Sequence, residues 1–390
     1  MYQGSVIELS QSALRGNLSY IRQLVGEGVI ISSVVKGNAY GHGIEQFVPM
    51  AERENIRHFS VANASEAQRV HASLTRDSHI MILGDIDEES LAWAIEKGLS
   101  FWVFNPARLE LAQALAHKIG RPALVHLEIE TGLNRTGLES YHLPRVVELV
   151  ETHPEDISVV GVCSHFAGAE SVANYLRMEH QFTEFQRISQ ELSPIFSHRT
   201  LRHMACSAAT LNWPKSRMDL VRVGIAQFGF WPSEETRIQF LLKNGQQNMD
   251  LIHFKDPLKR ILKWKTRVMD IKEVSPGEFI SYGNSYLAKR HHRIATIPVG
   301  YYHGFPRRLS NYGYVLIRGK KAPVIGVVNM SVTILDVTDI PGVATGEEVV
   351  IIGKQKNAEI SVSSFSEQTS LLNYEVLVRL PGDITRLKVR

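Results

Sequence analysis

Only two cysteines, Cys163 and Cys206, occur in 390 residues, too few for a disulfide framework or a thiolate metal site. Each lies in an apolar, strand-like run and is expected as a packed thiol; no metal site is expected. No apolar run approaches the roughly 18 residues needed to cross a bilayer. The opening MYQGSVIELSQSALRGN lacks the basic start and apolar stretch of a secretory leader, so a cytoplasmic protein is expected. Charge of one sign is also scarce. The 43 basic and 40 acidic residues leave a net +3, which gives nucleic acid or an anionic membrane little to attract. With 44% hydrophobic and 21% charged residues, 28 Gly and 15 Pro, the composition is that of an ordinary globular chain, long enough for two or three domains.

What is present is an alternation. Apolar, β-branched runs recur at 29–35 (VIISSVV), 58–63, 79–84, 100–104, 123–130, 157–166, 200–207 and 219–226. Amphipathic stretches separate them, such as NPARLELAQALAHKIG, with an Asn cap, a first-turn Pro and a terminal Gly. Eight β/α units over some 200 residues predict an α/β fold, an N-terminal (β/α)8 TIM-like barrel over residues 1–232. The first strand, about 5–10, is a candidate to join a second domain. Residues 233–258 are polar without clear period and read as a linker or insertion. From 259 to 390, short strand candidates separated by turn signals predict a mostly-β C-terminal domain; they include ILKWKTRVMDIKEV, EFISYG, HRIATIPVG, YGYVLIRG and YEVLVRL, and one short helical run lies near 364–372.

Groups at the C-terminal ends of barrel strands converge on one mouth. Run one ends at Lys36, followed by GNAYGHG; run five leads into ETGLNRTG with Arg135; run six ends with His165, run seven with Ser207, and run eight carries Arg222 before Gly224. A lysine directly after VIISSVV sits where a charged amine is disfavoured, as a Schiff-base lysine requires. The glycines behind it allow backbone to approach a ligand. Read alone, Arg222 suits a surface ion pair, with Asp219 nearby.

VVKGNAYGHG resembles the cofactor-lysine motif of the alanine racemases, and ETGLNRTG, SHFAGAE, CSAAT, RVGIAQFG, SYGNSY, GYYHGFPRRLSN, VVNMSVTILDVTD and NYEVLVRL follow in the family's order. The resemblance implies a pyridoxal 5′-phosphate (PLP)-dependent amino-acid racemase that interconverts L- and D-alanine, supplies D-alanine for peptidoglycan, and works as a head-to-tail homodimer sharing each active site between a barrel and the partner's β domain. By that resemblance Lys36 holds the cofactor covalently. Tyr40, Ser207, Tyr374 and the amides of Gly224 and Ile225 hold its phosphate, and Arg222 faces its pyridine nitrogen. Racemisation needs a base on each face of the substrate Cα. The resemblance gives one face to Lys36 and the other to Tyr282, with His165 standing between that tyrosine and Arg222, neutral and able to accept a hydrogen bond. Arg135, Met330 and Tyr301 would form the substrate site.

Three departures cluster there. Glu128 stands where many members carry a carboxylated lysine that steadies the arginine. Met330-Ser331 replaces a Met-Asp pair. Tyr302-His303 replaces Ala-Asp beside Tyr301. A racemase for serine or another amino acid is therefore the alternative. A PLP decarboxylase would be expected to offer a carboxylate where Arg222 stands, and a non-catalytic PLP-binding homologue is argued against by the long β domain and by Tyr282.

Overall fold

The eight predicted runs all form strands, because each is short, β-branched and bounded by turn or cap residues. The computed structural model describes residues 4–245, 256–369 and 373–390. A first strand, β1 (Ser5–Ser10), precedes the barrel strands β2 (Ile30–Val34), β3 (His58–Val61), β4 (His79–Ile82), β5 (Ser100–Val103), β6 (Ala123–Glu128), β7 (Ile157–Cys163), β8 (Leu201–His203) and β9 (Leu220–Val223). All pairs within β2 to β9 are parallel, in the order β8-β7-β6-β5-β4-β3-β2-β9. The two ends of that order meet through Asp219 N–H donating to Arg202 O (3.1 Å) and Arg222 N–H donating to Ala205 O (2.9 Å). Closure removes the free edges a parallel sheet would otherwise present.

The intervening helices carry the expected caps. Asn105 accepts from Arg108 N–H, Pro106 follows it, and Gly120 closes Pro106–Ile119 in the left-handed conformation. Cys163 is buried against Met81 and Trp102 inside the barrel, and Cys206 is a half-buried free thiol. Among the described residues no helix is long and apolar enough to cross a membrane, and no group of side chains is arranged to hold a metal ion.

The chain forms two compact units: Leu14–Lys36 with Phe47–Lys259, which is the barrel, and Met1–Ala13 with Gly37–Gln46 and Arg260–Arg390. The second unit contains β1 and β10 (Leu262–Arg267), β11 (Asp270–Val274), β12 (His292–Ile297), β13 (Tyr314–Ile317), β14 (Lys320–Pro323), β15 (Thr333–Asp336), β16 (Glu348–Gln355), β17 (Ala358–Ile360) and β18 (Thr385–Val389). One sheet runs β14-β13-β16-β10-β1-β18 with β17 on β16, and a smaller one runs β11-β12-β15. β1 lies between β10 and β18, its Ile7 and Leu9 fully buried beside Trp264.

Three readings of the sequence need correction. YEVLVRL is not a strand: Asn373–Val378 is a helix, with Val376 and Leu377 buried and Glu375 paired to Arg379 one turn on. A short apolar run fits either state, and here the i,i+4 pair and the buried stripe favour the helix. EFISYG makes a single bridge, Phe279 to Leu287, and no strand. Within the expected linker 233–258, Glu234–Gly245 is a helix. Glu234 pairs with Arg237 on it, and Phe240 packs on Trp231 and Tyr20. The rest of that linker, 246–255, lies outside the described residues. The expected helical run at 364–372 is seen as Val362–Thr369, and 370–372 are likewise outside.

Candidate active site

The barrel strands deliver their reactive groups to one end, as parallel β/α units must. Lys36 follows β2, and its side chain opens toward solvent while its ammonium stands among protein groups that disfavour charge. Its pKa is lowered by desolvation first and by the cations Arg135 and Arg222, against a smaller opposing pull from Glu66. That supports the amine chemistry expected of it.

Arg222 is not a surface ion pair. It is 4% exposed, and Asp219 pairs instead with Arg202 at 3.2 Å. Its terminal nitrogens are fully engaged: Nη1 donates to His203 Nδ1 (2.5 Å) and His203 O (3.2 Å), and Nη2 donates to Ser164 O (2.7 Å), Met204 O (3.1 Å) and His165 Nδ1 (3.2 Å). Its guanidinium also lies 5.1 Å from the Trp102 ring. Nε–H is the donor left without a partner among the described residues. A guanidinium pinned on both terminal nitrogens presents this one N–H in a fixed direction.

His165 is held neutral, its pKa pushed down to about 3 by burial and then by Arg222, Arg135 and Lys36. Since Arg222 only donates, His165 Nδ1 is the acceptor and its proton lies on Nε2. Its accepting nitrogen is taken by the arginine, and the other is a donor.

Ser207 begins the helix Ser207–Asn212, and its Oγ accepts from Gly224 N–H (2.9 Å) and Ala226 N–H (3.4 Å). With two donors on its oxygen, the hydroxyl proton is directed away from them. Gly224 N–H is therefore engaged by Ser207. Ile225 opens the 3-10 helix Ile225–Phe228, where an N–H has no acceptor within the helix. Gln227 ties this loop to the end of β2: its Nε2 donates to Val34 O (3.0 Å), and its Oε1 accepts from Ser33 Oγ (2.7 Å).

Glu128 ends β6 and is 2% exposed, its Oε2 lacking a hydrogen-bond partner. Burial raises its carboxyl pKa, while a bond from Thr136 and the field of Arg135 and Arg222 lower it. Arg135 is exposed and makes no ion pair among the described residues.

In the other unit, Gly37 to Tyr40 all have positive φ, between 51° and 61°. For Asn38, Ala39 and Tyr40 this left-handed turn costs about 1–2 kcal/mol per residue. It is held by Gly41 N–H donating to Gly37 O (2.9 Å), Gly43 N–H donating to Asn38 O (2.9 Å), and Arg386 Nη2 donating to Gly41 O (2.9 Å). The turn sets the Tyr40 ring 6.0 Å from that of Tyr374, so two of the expected phosphate-binding hydroxyls come from one cluster. Tyr282, Tyr301 and Met330 are all exposed, as are Ser331 and Tyr302; His303 is half-buried.

Sequence reasoning missed His203, Ser164 and Gln227. His203 carries a signal, a histidine inside a barrel strand one turn of chain before Ser207. Ser164 and Met204 act through backbone carbonyls, which no side-chain pattern reveals.

A parallel barrel with a lysine behind its first strand and a pinned arginine on its last, joined in one chain to a mostly antiparallel β unit, defines a narrow class of amine-handling barrel proteins. Comparison with known proteins identifies the family. Residues 9–232 match the model of the alanine racemase N-terminal domain and residues 261–388 that of the alanine racemase C-terminal domain. An alanine racemase of Leptospira interrogans is 33% identical over 390 residues, covering 99% of this chain and 96% of that one. Alanine racemase 1 of Caldanaerobacter subterraneus is 34% identical over 382 residues, covering 98% and 94%. The crystal structure of alanine racemase from Bacillus anthracis with bound L-Ala-P superposes with a TM-score of 0.87 at 29% identity, covering 100% and 96%. The chain belongs to the alanine racemase family.

Proposed function

We propose that this protein interconverts L- and D-alanine, with PLP bound covalently through Lys36 and with each site completed by a second copy of the chain. The observation that carries the reading is the state of Arg222: both terminal nitrogens are engaged and one N–H is left to present. Other features fit the same group. The Ser207 hydroxyl proton and the Ile225 N–H supply donors without bulk, as a phosphate dianion needs. Once bound, PLP supplies an electron sink that acidifies the substrate Cα–H.

The protein then governs where that proton goes. Arg222, a permanent cation with no proton to lose, would offer its Nε–H to the ring nitrogen without protonating it, and so temper the electron sink that the cofactor would supply. The Lys36 amine, already disfavoured as ammonium, takes and returns the proton on one face. A phenol with an ordinary pKa near 10 is a weak base at neutral pH. On the opposite face, Tyr282 from a second copy would be helped by His165, whose Nε2–H can donate to the phenolate and stabilise it. Arg135 receives the substrate carboxylate in its planar fork, with buried Glu128 as the anion that orients it, and Met330 and Tyr301 close the substrate side. Phe279, Tyr282, Leu287, Tyr301, Tyr302, Tyr312 and Met330 are large apolar or aromatic side chains exposed on the β unit, surface that a partner chain would cover. They support association with a partner chain.

Purified protein reconstituted with PLP and given L-alanine in D2O should produce D-alanine deuterated at Cα and reach an equilibrium ratio near one. Lys36→Ala should abolish both inversion and cofactor absorbance. A faster rate on serine would replace the substrate while keeping the reaction. Bound cofactor with no inversion of any amino acid would refute the reading.

A further inference from the structure

The barrel interior holds a line of polar groups that proton transfer at Cα does not use. Arg222 Nη1 meets His203 Nδ1 at 2.5 Å, His203 Nε2 meets His126 Nδ1 at 2.9 Å, His126 Nε2 meets Ser100 Oγ at 3.2 Å, and Ser100 Oγ meets His79 Nε2 at 2.8 Å. The first member fixes the protons on His203 and His126. A guanidinium only donates, so His203 accepts on Nδ1 and carries its proton on Nε2. His126 must then accept on Nδ1 and donate from Nε2 to Ser100. Ser100 is fully buried and its Oγ has no polar partner among the described residues besides these two rings, so its hydroxyl proton goes to His79 Nε2. The chain leaves His79 with its proton on Nδ1, where no partner stands among the described residues.

The fold makes room for this line. The register between β6 and β7 slips past Val160, so that Val125 faces Val159 and His126 faces Gly161, where a Cβ would lie 2.0 Å from His126 Nδ1. Burial holds His126 neutral, its pKa pushed down to about 3, and holds His203 well below the ordinary imidazole range.

The far end of the line opens into a cavity of about 950 Å³. It lies at the N-terminal ends of the strands, since its lining includes Ile30, His58, His79 and Leu201, the first residues of β2, β3, β4 and β8. Arg22, Arg57 and Arg199 stand around it against a single carboxylate, Glu27, and much of the remaining wall is aliphatic. The cavity thus has His79, the last member of the line, in its wall together with an excess of positive charge, at the opposite pole of the barrel from Lys36.

We propose that this cavity is a second binding site, for a small oxyanion whose oxygen accepts from His79 Nδ1–H while the surrounding arginines balance its charge, and that the imidazole line carries its occupancy to Arg222. Binding at the cavity stands apart from the racemase reading, whereas the consequence for catalysis rests on Arg222 facing the cofactor's ring nitrogen. An oxyanion on His79 polarises the line toward the cavity, strengthens the pull on Arg222 Nη1, and so alters the Nε–H donor offered at the other end.

The test uses PLP-loaded protein carrying 15N-labelled histidine, with inorganic phosphate and acetate as separate probes. The free protein should show His203 and His126 neutral and protonated on Nε2, and His79 protonated on Nδ1. Added phosphate or acetate should shift the His79 resonance saturably, with a smaller shift at His203 and a change in the fluorescence of Trp102, whose ring lies 6.4 Å from that of His203. The stronger probe identifies the headgroup. Saturating alanine should leave these shifts intact, and Arg199→Gln, altered at an exposed position of the cavity wall, should weaken binding about tenfold or more with an unchanged melting temperature. Displacement of the probe by alanine, equal affinity in the Arg199→Gln variant, no saturable shift, or a His203 proton on Nδ1 would each overturn the proposal. Racemisation measured without probe separates such a failure from failure of the proposed function.

Discussion

Replacing Ser207 by alanine separates what the hydroxyl does for the fold from what it does for the cofactor. In the fold its oxygen accepts from Gly224 N–H at 2.9 Å and, more weakly, from Ala226 N–H at 3.4 Å, in a site where Ser207, Gly224 and Ala226 are all buried. Removing the acceptor leaves one well-made buried amide bond without a partner, a loss of about 1–3 kcal/mol. In a unit of this size that lowers the melting temperature of the cofactor-free protein by several degrees, at about 2–4 °C per kcal/mol. On the proposed phosphate role of Ser207, the cofactor-bound form loses more, because the hydroxyl proton turned away from those amides is no longer there for the phosphate. A charge-assisted bond of that kind is worth about 1.5–3 kcal/mol, which predicts a PLP dissociation constant raised roughly 10- to 150-fold. Thermal melts of apo and holo protein, with titration of apo protein by PLP followed by absorbance, read the two effects independently. A normal PLP affinity beside a lowered apo melting temperature would show that Ser207 only braces the loop, and the phosphate assignment would fail.

The remaining expectations concern other parts of the site. Gly41→Ala places a Cβ 1.9 Å from Leu377 O at a residue with φ of +77°, so it should cost more than about 3 kcal/mol and appear as loss of soluble, cooperatively melting protein; an unaltered melt would refute the close approach. Glu128→Gln removes a carboxylate whose raised pKa means that ionisation favours the unfolded chain; stability from this group is present below pH 4.5 and lost as pH rises through its folded value. The variant should therefore melt no lower than the parent at pH 8, while its KM for alanine rises several-fold through Arg135, and an unchanged KM would remove Glu128 from the substrate site. His165 and His126, neutral in the fold with pKa values near 3 against 6.5 in the unfolded chain, make the unfolded state bind more protons between those limits. Stability should then fall as pH drops from about 6.5, and a urea midpoint that stays level between pH 6.5 and 5 would contradict their burial.

Periodicity alone specified the barrel, because eight runs of strand-forming residues separated by capped helical stretches admit few other parallel architectures. Lys36, Arg135, His165, Ser207 and Arg222 were legible as a set for a related reason: strand ends in such a barrel must converge, so position in sequence already implies proximity. Local composition failed where two states compete for one short segment, as at Asn373–Val378, which a buried stripe and an ion pair turn into a helix.

Tertiary structure alone decided the state of the groups. Nothing adjacent to Arg222 in sequence indicates that its terminal nitrogens are fastened to Ser164, His165, His203 and Met204 from two other strand ends, or that this forces the His165 proton onto Nε2. The line from Arg222 to His79 is equally invisible in one dimension, since its members come from β4, β5, β6, β8 and β9 and meet only through strand register and the space left at Gly161. A sequence specifies which residues end each strand. Donor direction, protonation and burial depend on what lies across the barrel, and only closure of the sheet brings those partners together.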